Sequence, residues 1–249
     1  IDSQFVGYRS GSANNVAVYD RLRGFGTSYN VQTDGNKIIT SSTAAEVLND
    51  NAFYGVATDL VSQYAGTGDF EGFRLAAIMH FSIDTSIDAE SLEKGDVNSL
   101  SEKLYKEAIE HYQSKKEALA KQSLPVFQNV RLTQGNHIVN VVVPFTDGKK
   151  QVNALTNLDK AISSKGAEMV ATLEKTITLA LIDDSWKEHL RAMDDLKQSV
   201  QTAVYEQKDP LVIYKQSAFE LFSNMDEEVN KEIVSFLCHA ALPAENSGN

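Results

Sequence analysis

Between Gly166 and Leu242 the chain contains only one further helix breaker, Pro210, and this constrains the fold more than any other feature. A stretch so long and so poor in Gly and Pro is predicted to be helix. In its first half Leu179, Ile182, Trp186, Leu190, Met193 and Val200 recur at helical spacing. Tyr214, Ala218, Leu221, Met225, Val229, Ile233 and Phe236 do the same in the second. Each set predicts one apolar stripe along one helix. Asp209-Pro210 marks the start of the second helix: Asp accepts from the free first-turn amides, and Pro at the first helical position loses no hydrogen bond. Helices of roughly 35 and 30 residues, at 1.5 Å per residue, extend about 45–55 Å. Joined by a short polar link, they must fold back to bury facing stripes. The expectation is a long antiparallel helical hairpin over residues 166–243, with a short tail at 244–249.

The chain upstream has a different texture. Residues 1–45 are rich in Gly, Ser, Asn and Thr, with short apolar bursts such as Val16-Ala17-Val18-Tyr19. Asp34-Gly35, between Val31 and Ile38-Ile39, has the pattern of a tight hairpin turn. This segment reads as strands and loops, and no chemistry is assigned to it. Residues 46–165 mix helix and strand. Helices are expected over 45–64 and 70–81, broken at Gly66-Thr67-Gly68, and from about Ser99 to Lys121 on Leu104, Ala108, Ile109, Tyr112 and Leu119. After Pro125 three β-rich runs follow, Val126–Leu132, Ile138–Phe145 and Gln151–Leu155. Gln134-Gly135-Asn136 and Thr146-Asp147-Gly148-Lys149 separate them as turns, which predicts a three-stranded antiparallel meander. The fold class is therefore mainly α, a long hairpin plus a helical subdomain with a small antiparallel β-meander.

Charge and motifs narrow the functional classes. With 23 Lys and Arg against 34 Asp and Glu the net charge is −11, and no basic stripe exists to displace phosphate counterions, so no nucleic-acid partner is expected. No apolar run approaches the roughly 18 residues of a transmembrane span, and no secretion signal opens the chain. The single cysteine, Cys238, forms no internal disulfide and reads as a buried thiol beside Phe236 and Leu237. These bounds favour a cytoplasmic protein. There is no phosphate loop, no dinucleotide fingerprint and no nucleophile elbow. His80, His111, His137, His189 and His239 lack metal-ligand spacing. Asp183, Asp184, Glu188, Asp194 and Asp195 resemble paired carboxylates for acid–base work, but with Lys187, Arg191 and Lys197 interleaved they read as a solvated helix face. No cofactor or metal is expected in this chain.

One feature departs from that bland pattern. The link Thr202-Ala203-Val204-Tyr205-Glu206-Gln207-Lys208 puts an aromatic at the hairpin tip, where nothing buries a ring. A tyrosine there suits gripping a partner, with a rigid apolar body and a hydrogen-bonding end. Equally, Tyr205 folds back onto the hairpin or packs on another domain. Trp186, Met193, Tyr214 and Phe222 are the structural anchors expected along the hairpin.

The residues Ile182-Asp183-Asp184-Ser185-Trp186-Lys187-Glu188-His189-Leu190, then Met193-Asp194, then Tyr205-Glu206-Gln207-Lys208-Asp209-Pro210, closely resemble the C-terminal helical scaffold of SecA, the motor of bacterial preprotein export. Val142-Val143-Pro144-Phe145-Thr146-Asp147-Gly148-Lys149, Tyr105-Lys106-Glu107-Ala108 and Pro125-Val126 resemble the helical wing of Bacteroidetes-type SecA proteins. Asn51–Tyr64 resembles the end of the long scaffold helix, so that the likeness covers about residues 46–243. The resemblance implies a wing over 46–165 and a two-helix finger over 166–243. Tyr205 matches the fingertip aromatic that contacts unfolded preprotein at the mouth of the SecY channel, with Val204 and Gln207 beside it. Trp186 and its stripe match the part of the finger that packs on the long scaffold helix. The motor domains that use ATP and Mg are partners in the full family and have no counterpart here, so no ATPase activity is expected of this chain. The implied location is cytoplasmic, peripheral to the inner membrane. Residues 1–45 depart from the family's charged scaffold helix by carrying Gly7, Gly11, Gly24, Gly26 and Gly35. The competing reading is a stand-alone helical scaffold or adaptor that docks a protein partner without translocation activity.

Overall fold

In the computed structural model residues 5–9, 16–20, 25–29, 41–200 and 209–243 are described. The chain divides into two compact units, residues 1–48 and 49–249. In the first, β1 (Phe5–Arg9), β2 (Val16–Asp20) and β3 (Phe25–Tyr29) form an antiparallel sheet in that order, with Val18 opposite Gly7 and Thr27. The Asp34-Gly35 turn lies outside the described residues.

The second unit is mainly helical, as the spacing predicts. α1 (Ser41–Tyr64) and α2 (Phe70–Phe81) match the expected helices, and the Gly66-Thr67-Gly68 break gives way to an Asp69 cap that accepts from Gly72 N at 2.9 Å. A short α3 (Ala89–Lys94), capped by Asp88, precedes α4 (Val97–Gln134), capped by Asp96. The core forms where these helices meet. Phe53 of α1 stacks against Phe81 of α2 and Tyr112 of α4, with ring centroids 6.0 and 5.1 Å apart. Leu173 and Ile177 of α6 (Ala167–Val200), and Ile233, Phe236 and Leu237 of α7 (Pro210–His239), complete it.

Two expectations are corrected here. Val126–Leu132 is helix, not strand, because α4 runs through Pro125 to Gln134. The Pro125 ring lies on the exposed side, while Ser123 and Phe127 are buried and Val130 is half-buried. Those positions continue the helical stripe of Leu119. An interior proline costs about 3 kcal/mol relative to Ala, and burying one phenylalanine returns about 1.5–3 kcal/mol. The meander is accordingly a two-stranded hairpin, β4 (Asn140–Thr146) with β5 (Gln151–Asn157), in which Val143 faces Ala154 and Phe145 faces Val152. Gly148, at φ +89°, closes its turn, and Asp147 Oδ1 accepts from the amides of Lys149 and Lys150. α5 (Leu158–Ser163) and Gly166 then return the chain to the long hairpin.

Candidate functional site

The hairpin of α6 and α7 is the element to which sequence reasoning assigns function. Its helices have 34 and 30 residues. Asp209 caps α7 by accepting from Leu211 N at 2.9 Å, and Pro210 opens the helix. The connection, residues 201–208, lies outside the described residues, and with it Val204, Tyr205 and Gln207.

The base of the hairpin is rooted in the core by polar contacts as well as apolar ones. Glu174 is buried, yet its Oε1 accepts from the Tyr112 hydroxyl at 2.9 Å and pairs with Lys116 Nζ at 2.9 Å. Burial, and then the Glu174 charge, hold the Tyr112 hydroxyl well above its ordinary pKa. Four residues on, the buried Thr178 hydroxyl donates to Asn49 Oδ1 at 2.7 Å. Lys115 Nζ reaches the carbonyl of Cys238 at 2.6 Å, tying α4 to the end of α7. Cys238 itself is fully buried, and burial pushes its thiol up to about 12. Sequence reasoning missed the Glu174, Thr178 and Asn49 contacts, since a polar residue inside an apolar pattern carries no mark of its partner.

Further out, His189 links the two helices. It is buried, with its ring 5.4 Å from Trp186 and 5.7 Å, edge-on, from Phe222. Two of the expected anchors, Trp186 and Phe222, are thereby joined through a histidine that sequence reasoning weighed only as a metal ligand and not as a packing residue. Met193 and Tyr214 are half-buried. The stripe expected on α6 is rotated relative to the one observed. The buried row is Leu173, Ile177, Leu181, His189 and Val200, whereas Leu179, Ile182 and Met193 are half-buried and Trp186 and Leu190 exposed. The stripe expected on α7 holds: Val229, Ile233 and Phe236 are buried, and Tyr214, Ala218, Leu221 and Met225 half-buried. The outer half of the hairpin therefore carries an apolar surface that includes Trp186, Leu190, Leu211, Val212 and Phe219, the last 71% exposed.

The carboxylates of α6 form a solvated ion-pair face. Lys187 lies 2.5 Å from Asp183 and 3.6 Å from Asp184, and Arg191 pairs with Glu188. The Asp183 contact raises the Lys187 pKa. Exposed pairs of this kind are screened by solvent and contribute little to stability. A cleft of about 630 Å³ between α6 and α7 contains Asp184, Glu188 and Glu228, and at its edge Lys150 pairs with Glu232 at 2.8 Å. Among the described residues no group of three or more His, Cys, Asp or Glu side chains is arranged to hold a metal ion, and no helix is long and apolar enough to cross a membrane. The arrangement is a pair of long helices with a base rooted in the core and an apolar outer flank.

Comparison with known proteins agrees with this geometry. The SecA wing and scaffold domain matches residues 31–241. The protein translocase subunit SecA of Flavobacterium psychrophilum is 44% identical over 197 residues, 79% of this chain and 18% of that relative. The corresponding subunit of Christiangramia forsetii is 41% identical over 194 residues, and that of Porphyromonas gingivalis 39% over 193. Each of these alignments covers 78% of this chain and 17% of the relative, so the chain spans less than a fifth of the relatives it matches. With the match running from before α1 to the end of α7, the chain belongs to the SecA wing and scaffold domain family.

Proposed function

We propose that this chain supplies the wing and the two-helix finger of a SecA-type protein-export motor. α6 and α7 are the finger. Tyr205, with Val204 and Gln207, forms the tip that contacts unfolded preprotein at the SecY channel. The single observation that carries this reading is the hairpin itself: two helices of 34 and 30 residues, rooted at one end in a buried core and meeting at an aromatic-bearing link. Burial at about 25 cal/mol per Å² along the rooted half stiffens the lever, so displacement at its base is felt at its tip. In this reading the apolar flank around Trp186, Leu190 and Phe219 is the surface that a long scaffold helix covers in the complete motor. ATP and Mg act in motor domains outside this chain, and the assembly works from the cytoplasmic side as a peripheral partner of the inner membrane. A lone aromatic and backbone contacts do not read sequence, which gives loose substrate choice.

The test is site-specific crosslinking. A photoreactive residue at position 205 is placed in a complete motor carrying this region, and a preprotein is arrested midway through the channel. An ATP-dependent crosslink to the arrested chain is the expected result. Its absence alongside normal transport removes Tyr205 from the mechanism.

A further inference from the structure

The β4–β5 hairpin leaves one strand edge open. The ladder bonds between the strands, continued by Leu158 N donating to Val139 O at 2.9 Å, use the backbone groups of alternate β4 residues, Val141, Val143 and Phe145. Those of Asn140, Val142, Pro144 and Thr146 face the other edge, because backbone groups alternate sides along a strand. Among the described residues, only the Thr146 end of that edge is covered. Thr146 and Ala241 exchange both hydrogen bonds, at 3.0 and 2.8 Å, in an antiparallel bridge. The next hydrogen-bonding pair along this register joins Pro144 to Pro243, and neither has an N–H to donate. Among the described residues, the chain's own third strand therefore amounts to one pair. Val142 and Asn140 have no backbone partner on that edge among the described residues, and Val142 is 60% exposed.

Beside this edge lies a groove of about 1050 Å³, floored by Phe127 and Val130 of α4, with Val126, Ile138 and Leu242 among its walls. None of the side chains lining it is charged, in a chain with a net charge of −11. From Ile138 to Thr146 the sequence has no charged residue either. Open edges are ordinarily blunted by charge, bulges or cover, since a bare one templates pairing with another chain. Among the described residues, this edge of β4 has only the Ala241 bridge at Thr146 and the missing N–H of Pro144 to discourage pairing. The residues after Pro243, Ala244-Glu245-Asn246-Ser247-Gly248-Asn249, have one acidic and three other polar side chains and offer little to an uncharged apolar groove.

We infer that the free edge of β4 at Asn140–Val142 and the groove against α4 bind an extended, uncharged, apolar segment of another polypeptide, added antiparallel as a third strand. Backbone bonds to Val142 and Asn140 supply the affinity. Alternate side chains seat on Val126 and Val130, so the site selects alternating apolar character rather than a particular sequence. This inference does not depend on the role of Tyr205.

A fluorescent heptapeptide, Ser-Val-Ser-Val-Ser-Val-Ser with blocked ends, tests this on the full chain by anisotropy and by amide hydrogen exchange. Saturable binding is expected, with exchange at Val142 and Asn140 slowed in its presence. Val126→Asp and Val142→Pro should each weaken binding at least tenfold with unchanged helix content. Binding that is absent, or equal in all three proteins, overturns the inference. If either variant loses helix content, the exchange data on the unmodified chain decide: no added protection at Val142 refutes it. Two other results also overturn it by naming a different occupant. One is at least tenfold tighter binding after removal of residues 244–249, which makes the chain's own tail the resident strand. The other is a dimer in sedimentation that Val142→Pro abolishes, which makes a second copy the partner.

Discussion

Gly166 occupies the junction between α5 and α6 at φ +93°, a conformation that L side chains rarely adopt. A Cβ at this position would stand 2.5 Å from the Ala120 carbonyl oxygen and 2.8 Å from its Cα. Both are backbone atoms of α4, so no rotamer change relieves the contact. Either the return loop or the middle of α4 must shift, which loosens the seat of α6 beside Leu119 and Met169. The backbone term in Gly166→Ala is about 1–2 kcal/mol, and the forced displacement of packed elements adds roughly 1–3 kcal/mol. The expected loss is thus about 2–5 kcal/mol, a large share of the roughly 5–15 kcal/mol that holds an ordinary domain folded. Gly148→Ala is the control: its φ is +89°, but nothing lies within 4 Å of the added Cβ. Only the backbone term remains there, about 1–2 kcal/mol. Urea denaturation followed by helical circular dichroism on both variants separates the two contributions. If Gly166→Ala costs no more than Gly148→Ala, the close approach to α4 is not a determinant of stability and the reasoning fails.

Two further outcomes follow from the buried polar groups. Tyr112→Phe removes a hydrogen bond to an ionised carboxylate and should cost about 1.5–3 kcal/mol; in the background of Glu174→Gln its cost should shrink, and additive losses in a double-mutant denaturation cycle would show that the two groups do not act together. His80 has a buried Nδ1 without a partner, and burial, then the charges of Lys231 and His239, hold its pKa below the ordinary 6.5. Below that pH the unfolded chain takes up a proton that the folded one resists, so stability falls as pH drops through and below about 6.5, by at most about 1.4 kcal/mol per pH unit for one group. Denaturation midpoints at pH 7.5 and 5.5 should differ less in His80→Leu than in the unmodified chain, and identical slopes would remove His80 from the pH response.

The route from sequence to site was open where the signal is local. Asp209-Pro210 and the Gly66–Gly68 break act through backbone chemistry within a turn of themselves, and α1 ends and α2 and α7 begin close to where those signals place them. The same holds for the turn at Asp147-Gly148. A long gap-free pattern from Ile182 to Pro210 also carries the family. Residues 201–208, which bear the sharpest functional expectation, lie outside the described residues, so Tyr205 remains a matter for the crosslinking experiment.

By itself, then, the sequence determined a mainly helical chain, the existence and lengths of the two long helices, their antiparallel return and their kinship with SecA. Tertiary structure alone decided which face of α6 turns inward. Trp186 and Leu190 are larger and more apolar than His189 and Ser185, yet His189 is buried and Trp186 is 39% exposed. Periodicity reports that a helix has two unlike faces; burial depends on what stands opposite, and here Phe222 meets the imidazole. The same reason accounts for Val126–Leu132. Its β-branched residues and the preceding Pro125 favour a strand locally, by no more than a few kcal/mol. Phe127 and Val130 find their neighbours only if the α4 helix continues, and that packing outweighs the local preference.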